Sequence, residues 1–271
     1  VSEKKFLKNI FYVGFTVRIL WVLYLYFIFN PNYFGNHIGS LEDVEWYIPF
    51  GHAIADWIRN DTYLTLSQII EYNMSAIDDV GYPMLLAIEY VLTGNESDVF
   101  VPLLVKSIMG AYCALLIFHV AKRHFGAGTA RIAALFVCLN PNMIYWCGTM
   151  MKEAEMVFFC CLAVDKLDQG LSSGNKLTLR ALGPGILAGL ILFFMRTALG
   201  LALFMGVLAH IVLASNKIIS LAKKIIAGVL VATTLFIAVG DRIFEQSREY
   251  LDKVYSDAQQ VNMEWRSNRE G

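Results

Sequence analysis

Asp43 and Tyr47 stand four residues apart, so any helix that holds both puts them on one face. A carboxylate at an apolar boundary has a raised pKa and can take the proton from an incoming hydroxyl group. Glu42 and Glu45 flank Asp43 and push in the same direction by like-charge repulsion. The plain alternative is a solvated acidic surface helix, in which an Asp/Tyr pair at this spacing is common. A second acidic point, Asp78-Asp79, precedes Gly81-Tyr82-Pro83, where glycine and proline fix the entry into a short apolar stretch. Its plain alternative is a hydrated turn or helix N-cap. The two acidic points are compatible with a divalent cation, although no spacing demands one, and the metal stays unknown.

Cations beside apolar runs carry more information. An arginine at a bilayer centre costs about 2.5–3.5 kcal/mol on insertion scales, so such residues take anionic partners. Lys106 lies within an apolar run, Lys152-Glu153 sits in a polar turn, and Arg196 divides another apolar stretch. Together they are expected to receive a phosphate group carried on a lipid. Alternatively Lys152 pairs with Glu153 or Glu155, Lys106 snorkels, and Arg196 is an ordinary loop residue. Arg18, inside the first apolar run, is expected to pair internally. His37 and His52 have no second ligand at metal spacing. Cys113, Cys138, Cys147, Cys160 and Cys161 all fall in apolar runs and read as small packing residues.

The elements that position these residues follow from composition. The chain is 57% hydrophobic and 17% charged, with mean hydropathy +0.53, outside the usual range of a soluble domain. A spanning helix needs about 20 mostly apolar residues. The expected fold is an all-α polytopic membrane protein with spans at Phe6–Phe29, Val99–Ala121, Gly128–Cys147, Ala154–Leu167, Leu182–Met195, Ala198–Ala214 and Ile225–Val239. The first run is too long for a secretory signal and lacks a small-residue cleavage site, so it reads as an anchored helix.

Basic residues orient the chain. With the N-terminus inside, inner segments hold twelve lysines and arginines: Lys4, Lys5, Lys8, Lys122, Arg123, Arg131, Lys166, Lys176, Arg180, Lys217, Lys223 and Lys224. Outer links before the tail hold three, namely Arg59, Lys152 and Arg196. The outer segment Asn30–Asp98 carries eleven carboxylates against the single cation Arg59, which makes it the expected working surface. Within it, Asp43–Arg59 has near-helical apolar spacing interrupted by Pro49 and Gly51, which suggests a helix along the membrane surface, whole or in two pieces. Tyr82–Leu92 is about half a span and reads as interfacial or re-entrant. Asn140-Pro141-Asn142 breaks the third span near its outer end. Residues 1–240 form the transmembrane unit, and 241–271 open a further outer loop of a longer chain. No basic outer face points to nucleic acid.

These features resemble the GT-C superfamily of membrane glycosyltransferases, in particular the bacterial branch similar to protein mannosyltransferases and aminoarabinose transferases. The carrying motifs are Asp43-x-x-x-Tyr47, Gly81-Tyr82-Pro83, Leu139-Asn-Pro-Asn-Met with Met151-Lys152-Glu153, and Phe193-Phe-Met-Arg196-Thr. Val44 stands where that branch has a second acidic residue, and Tyr82-Pro83 where it has a double proline. The resemblance implies transfer of a sugar from a polyprenyl-phosphate donor to a glycan, lipid or protein acceptor at the outer face of a bacterial inner membrane. Asp43 is then the catalytic base. Tyr47, Asp78, Asp79, Lys152, Glu153 and Arg196 bind substrate, and no cofactor is required.

Two other classes remain. A lipid-linked-oligosaccharide flippase would place its charges midway through several spans and show repeat symmetry, and neither is visible. A polysaccharide polymerase or ligase would share donor and location without the first-loop aspartate.

Overall fold

A computed structural model describes residues 2–29, 42–63, 65, 66, 68, 69, 80–94, 99–172 and 179–213, with side chains undefined at 29, 42–45, 171, 172, 179–181 and 208–213. The seventh expected span and the 241–271 tail lie outside these residues. The chain divides into two compact units, Val1–Val207 and Leu208–Gly271. Among the described residues every regular element is helical: α1 (Glu3–Tyr24) with a π-helical end (Leu25–Phe29), α2 (Glu42–Arg59), α3 (Gly81–Thr93), α4 (Phe100–Cys138), α5 (Pro141–Cys147), α6 (Glu153–Ser172), α7 (Leu179–Met195) and α8 (Thr197–Leu213).

Two helical stretches, Glu3–Ile28 and Phe100–Cys138, are long and apolar enough to cross a membrane. Large apolar side chains cover their outsides: Leu20, Phe27, Ile28 and Phe136 are all more than half exposed. A surface of that kind suits hydrocarbon rather than water.

α4 covers the second expected span and most of the third, and Gly126 divides it. There the backbone takes φ 83° and ψ 172°, outside helical geometry and open to glycine because it has no Cβ. Ala114, Phe118 and Ala121 before the break share one buried cluster with Ala130, Ala134 and Cys138 after it, so the two arms lie side by side. The third expected span is built in two pieces. The second arm of α4 stops at Cys138, and α5 restarts at Pro141, where the Asn140 side chain accepts a hydrogen bond from the Met143 amide at 3.2 Å.

Arg18 closes this corner. It is fully buried, and its Nη1 donates to the carbonyls of Gly14 and Cys138, each at 2.9 Å, while Nη2 reaches that of Val137 at 3.3 Å. The expected internal pairing is thus with carbonyls that end the second arm of α4, where the helix dipole is negative, rather than with a carboxylate.

α2 is one helix rather than two. Pro49 costs a single backbone bond and sits on the exposed side. Gly51 lets α3 come close, since a Cβ there would stand 3.1 Å from Leu86 Cβ. Burial of Tyr47, Phe50 and Ile54 against Leu86, Ala87 and Tyr90 outweighs the local preference for a break. α3 spans 13 residues, about 20 Å, too short to cross a bilayer core. It stops at Gly94 in the left-handed region, whose N–H bonds the Tyr90 carbonyl.

Candidate functional site

One end of the α1–α6 bundle is held together by Lys106. Two turns into α4 and fully buried, its Nζ donates to the Thr149 carbonyl at 2.8 Å and to that of Met151, and pairs with Glu155 Oε1 at 3.3 Å. An ammonium has three donors, and these partners use them all. Lys106 is therefore a staple for the turn between α5 and α6, not a phosphate holder as its sequence position suggested. Its Nζ also lies 4.8 Å from the centroid of the Tyr82 ring, at the start of α3.

That turn carries Lys152, 1% exposed, whose Nζ lies 5.4 Å from the centre of the Tyr47 ring. Tyr47 in turn meets the Tyr82 ring edge-on at 5.1 Å. Tyr47 and Lys152, expected at the site from separate motifs, thus come together with Tyr82 between them and Lys106. Glu153 and Glu155 open α6, where the helix dipole favours negative charge. Glu153 keeps a buried Oε2 with no hydrogen-bond partner among the described residues.

Arg196 occupies the one-residue break between α7 and α8, with its side chain exposed. It takes no part in the contacts joining Lys106, Lys152, Tyr47 and Tyr82. Its neighbourhood does adjoin α3, because a Cβ on Gly81 would stand 2.8 Å from Met195 N and Phe194 C. Asp43 belongs to the first turn of α2, one turn before Tyr47, but its side chain lies outside the described residues, as do Asp78 and Asp79. Among the described residues no group of three His, Cys, Asp or Glu is placed to hold a metal.

Two carboxylates at this end were not singled out as site residues. Glu155 is 2% exposed and is the anionic partner that a buried Lys106 requires. Glu89, on the same face of α3 as Tyr82 two turns earlier, has its pKa pushed up to about 7 by burial and by the Glu155 charge, with Lys106 opposing. The signal was present in each case: a lone acid inside Tyr82–Leu92, and a Lys106 that had to be neutralised. The α2–α3 seam is closed by His52, whose ring stacks on Tyr90 at 4.6 Å, and by Arg59 Nη2 donating to the Tyr90 carbonyl at 2.7 Å. Burial lowers the His52 pKa, with Asp56 opposing.

The opposite end of the unit holds a second polar group. Arg123 Nε donates to Asp168 Oδ2 at 2.6 Å and its Nη2 to Asp165 Oδ1 at 2.8 Å, while His124 Nε2 lies 2.8 Å from Asp168 Oδ1. Lys122 meets Glu3 at 2.6 Å. Burial alone would raise the Asp168 pKa, but the bonds from Arg123 and His124 prevail and lower it. These contacts tie the ends of α1, the first arm of α4 and α6. Comparison of this chain with family models, with curated proteins and with solved structures finds no match.

Proposed function

We propose that this chain is a GT-C-type glycosyltransferase that moves a sugar from a polyprenyl-phosphate donor to a glycan, lipid or protein acceptor at the outer face of a bacterial inner membrane. One observation carries the reading. Three motifs far apart in sequence, led by Asp43-x-x-x-Tyr47, Gly81-Tyr82-Pro83 and Met151-Lys152-Glu153, converge through Lys152 over Tyr47 and Tyr47 against Tyr82. The seven-span arrangement is part of the proposal. Glu3, Lys122, Arg123 and Lys166, assigned inside, share one end of the unit, which supports it.

The chemistry asks little of the protein. A lipid phosphate departs without protonation and needs only cations to take up its charge. Lys152, with Arg196 beside the entry to α3, fills that role in the proposal. The acceptor hydroxyl needs a base, and Asp43, one helical turn from Tyr47, is the proposed one for an inverting displacement. Tyr47 and Tyr82, both buried, back the Lys152 turn in the proposal, with Asp78, Asp79 and Glu153 as hydrogen-bond acceptors.

The test is release of sugar from a polyprenyl-phosphate-linked donor by the purified membrane protein. Turnover that is lost in Asp43→Asn while donor binding persists supports the proposal. Turnover unaffected by Asp43→Asn would sink Asp43 as base, and binding of donor with transport but no release would favour a flippase.

A further inference from the structure

We propose that the end of the protein opposite Lys106 is a docking surface for anionic phospholipid headgroups, formed by Lys4, Lys5 and Lys8 on α1 with Arg131 on the second arm of α4. The inference is independent of the reaction carried by the Lys152 end.

Its basis is positive charge that the described protein leaves unanswered. Lys4, Lys5 and Lys8 are exposed within the first two turns of α1. They stand three and four residues apart, where like charges on a helix surface repel, and at the end where the helix dipole disfavours cations. The single carboxylate of α1, Glu3, is taken by Lys122 at 2.6 Å. Nearby, Arg123 and Lys166 each have a carboxylate partner as well. Among the described residues Lys4 and Lys5 meet no carboxylate, and Lys8 meets only the Tyr12 ring, its Nζ 5.8 Å from the centre. A helix start of this composition gains stability from negative charge supplied from outside the chain.

The surface beside these cations says which anion it is. α1 and the second arm of α4 run side by side from this end: Arg131 Cζ lies 5.6 Å from the centre of the Phe6 ring, and further along Cys138 Sγ donates to the Ile10 carbonyl at 3.5 Å. On both helices the cations give way to apolar side chains that are half exposed or more, Tyr12, Val13 and Leu20 on α1 and Ile132 and Phe136 on the arm. The two arms of α4 meet at the same end, where Phe125 is 72% exposed beside the Gly126 break. A bare aromatic ring next to a basic band, with a bare apolar wall beyond both, matches the headgroup layer of a bilayer. Long basic side chains there lay their stems on acyl chains and carry their charge to the phosphates. A soluble acidic partner would answer the lysines but not the apolar wall. A band of four such cations draws anionic lipid in preference to zwitterionic lipid.

The experiment asks which lipid occupies this surface. The purified full chain is placed in phosphatidylcholine vesicles with a trace of spin-labelled phosphatidylglycerol or spin-labelled phosphatidylcholine, and electron paramagnetic resonance reads the fraction of label held at the protein. The wild type should select phosphatidylglycerol by about three- to tenfold at low salt. That preference should fall away in about 1 M salt, where the screening length is about 3 Å. The combined variant Lys4→Gln, Lys5→Gln, Lys8→Gln should lose most of it, and the matching arginine triple should keep it. Arg131→Gln, which tests the same surface without touching α1, should lower it by less. Lys166→Gln, whose charge is answered by Asp165, should behave as the wild type. A wild type that does not discriminate, or selectivity that survives in both the glutamine triple and Arg131→Gln, would overturn the inference. Loss in the arginine triple as well would show that side-chain shape rather than charge governs the contact, and would overturn it equally.

Discussion

Lys106 and Glu155 meet at 3.3 Å with side chains 0% and 3% exposed, an ion pair enclosed on all sides. Removing one member leaves the other buried and unpaired, a loss of about 3–5 kcal/mol. Lys106→Met should therefore lower the unfolding free energy in detergent by that order, and Glu155→Gln somewhat less because an amide still accepts a bond. The double variant should recover part of the loss. Additive losses would show that the two side chains act separately.

Gly81 is where α3 rests on the α7–α8 break. A Cβ there would lie 2.8 Å from the Met195 nitrogen and the Phe194 carbonyl carbon, both backbone atoms that cannot step aside. Gly81→Ala should cost about 1–3 kcal/mol and weaken donor binding by shifting Tyr82 relative to Arg196. Gly206→Ala, with nothing within 4 Å of its Cβ, is the control and should leave thermal stability unchanged or slightly higher. Equal effects of both would dissociate the packing from the site.

The two ends of the unit should respond to pH with opposite slopes. Asp168 has a lowered pKa, so the stability it lends is present above its ordinary value of 3.8 and is lost as pH falls through the folded value. Asp168→Asn should remove that part of the acid sensitivity. Glu89 has a raised pKa, so its contribution is full below 4.5 and is lost as pH rises through about 7. A displacement of that size corresponds to about 3 kcal/mol. Denaturant midpoints measured from pH 4 to 8 should fall in the wild type and stay level in Glu89→Gln.

Asp43→Asn should reduce sugar release by about 10²–10⁴-fold with donor affinity retained, the usual scale of a general base. Glu45→Gln, two positions on and so turned away from the Asp43–Tyr47 face, should change little. Lys152→Gln and Arg196→Gln should instead weaken donor binding. Collapse of turnover only in Asp78→Asn or Asp79→Asn would move the base to the end of the loop.

The proposed orientation places Ser67 outside and Ser173 inside. Cysteines introduced there, in a background lacking the five native cysteines, should differ in labelling of intact cells by an impermeant thiol reagent. Ser67→Cys should react and Ser173→Cys should not. The reverse pattern would invert the topology and remove the outer site.

Local chemistry was enough to read several features from sequence. The helical periodicity of Asp43–Arg59, the break at Asn140-Pro141, the half-span at Tyr82–Leu92 and the need of Arg18 for an internal partner each depend on residues close in the chain. Continuity of α2 through Pro49 and Gly51 was not readable, because it follows from the face of α3 pressed against it. The division of labour among the cations was equally hidden. Lys106 and Lys152 both stand beside apolar runs, and only the tertiary structure consumes the donors of the first on Thr149, Met151 and Glu155 while setting the second over Tyr47. Glu89 looked like one of eleven carboxylates in an acidic loop. Burial beside Glu155 sets it apart, and burial is a property of what other segments bring to a residue, which periodicity and spacing along one chain cannot encode.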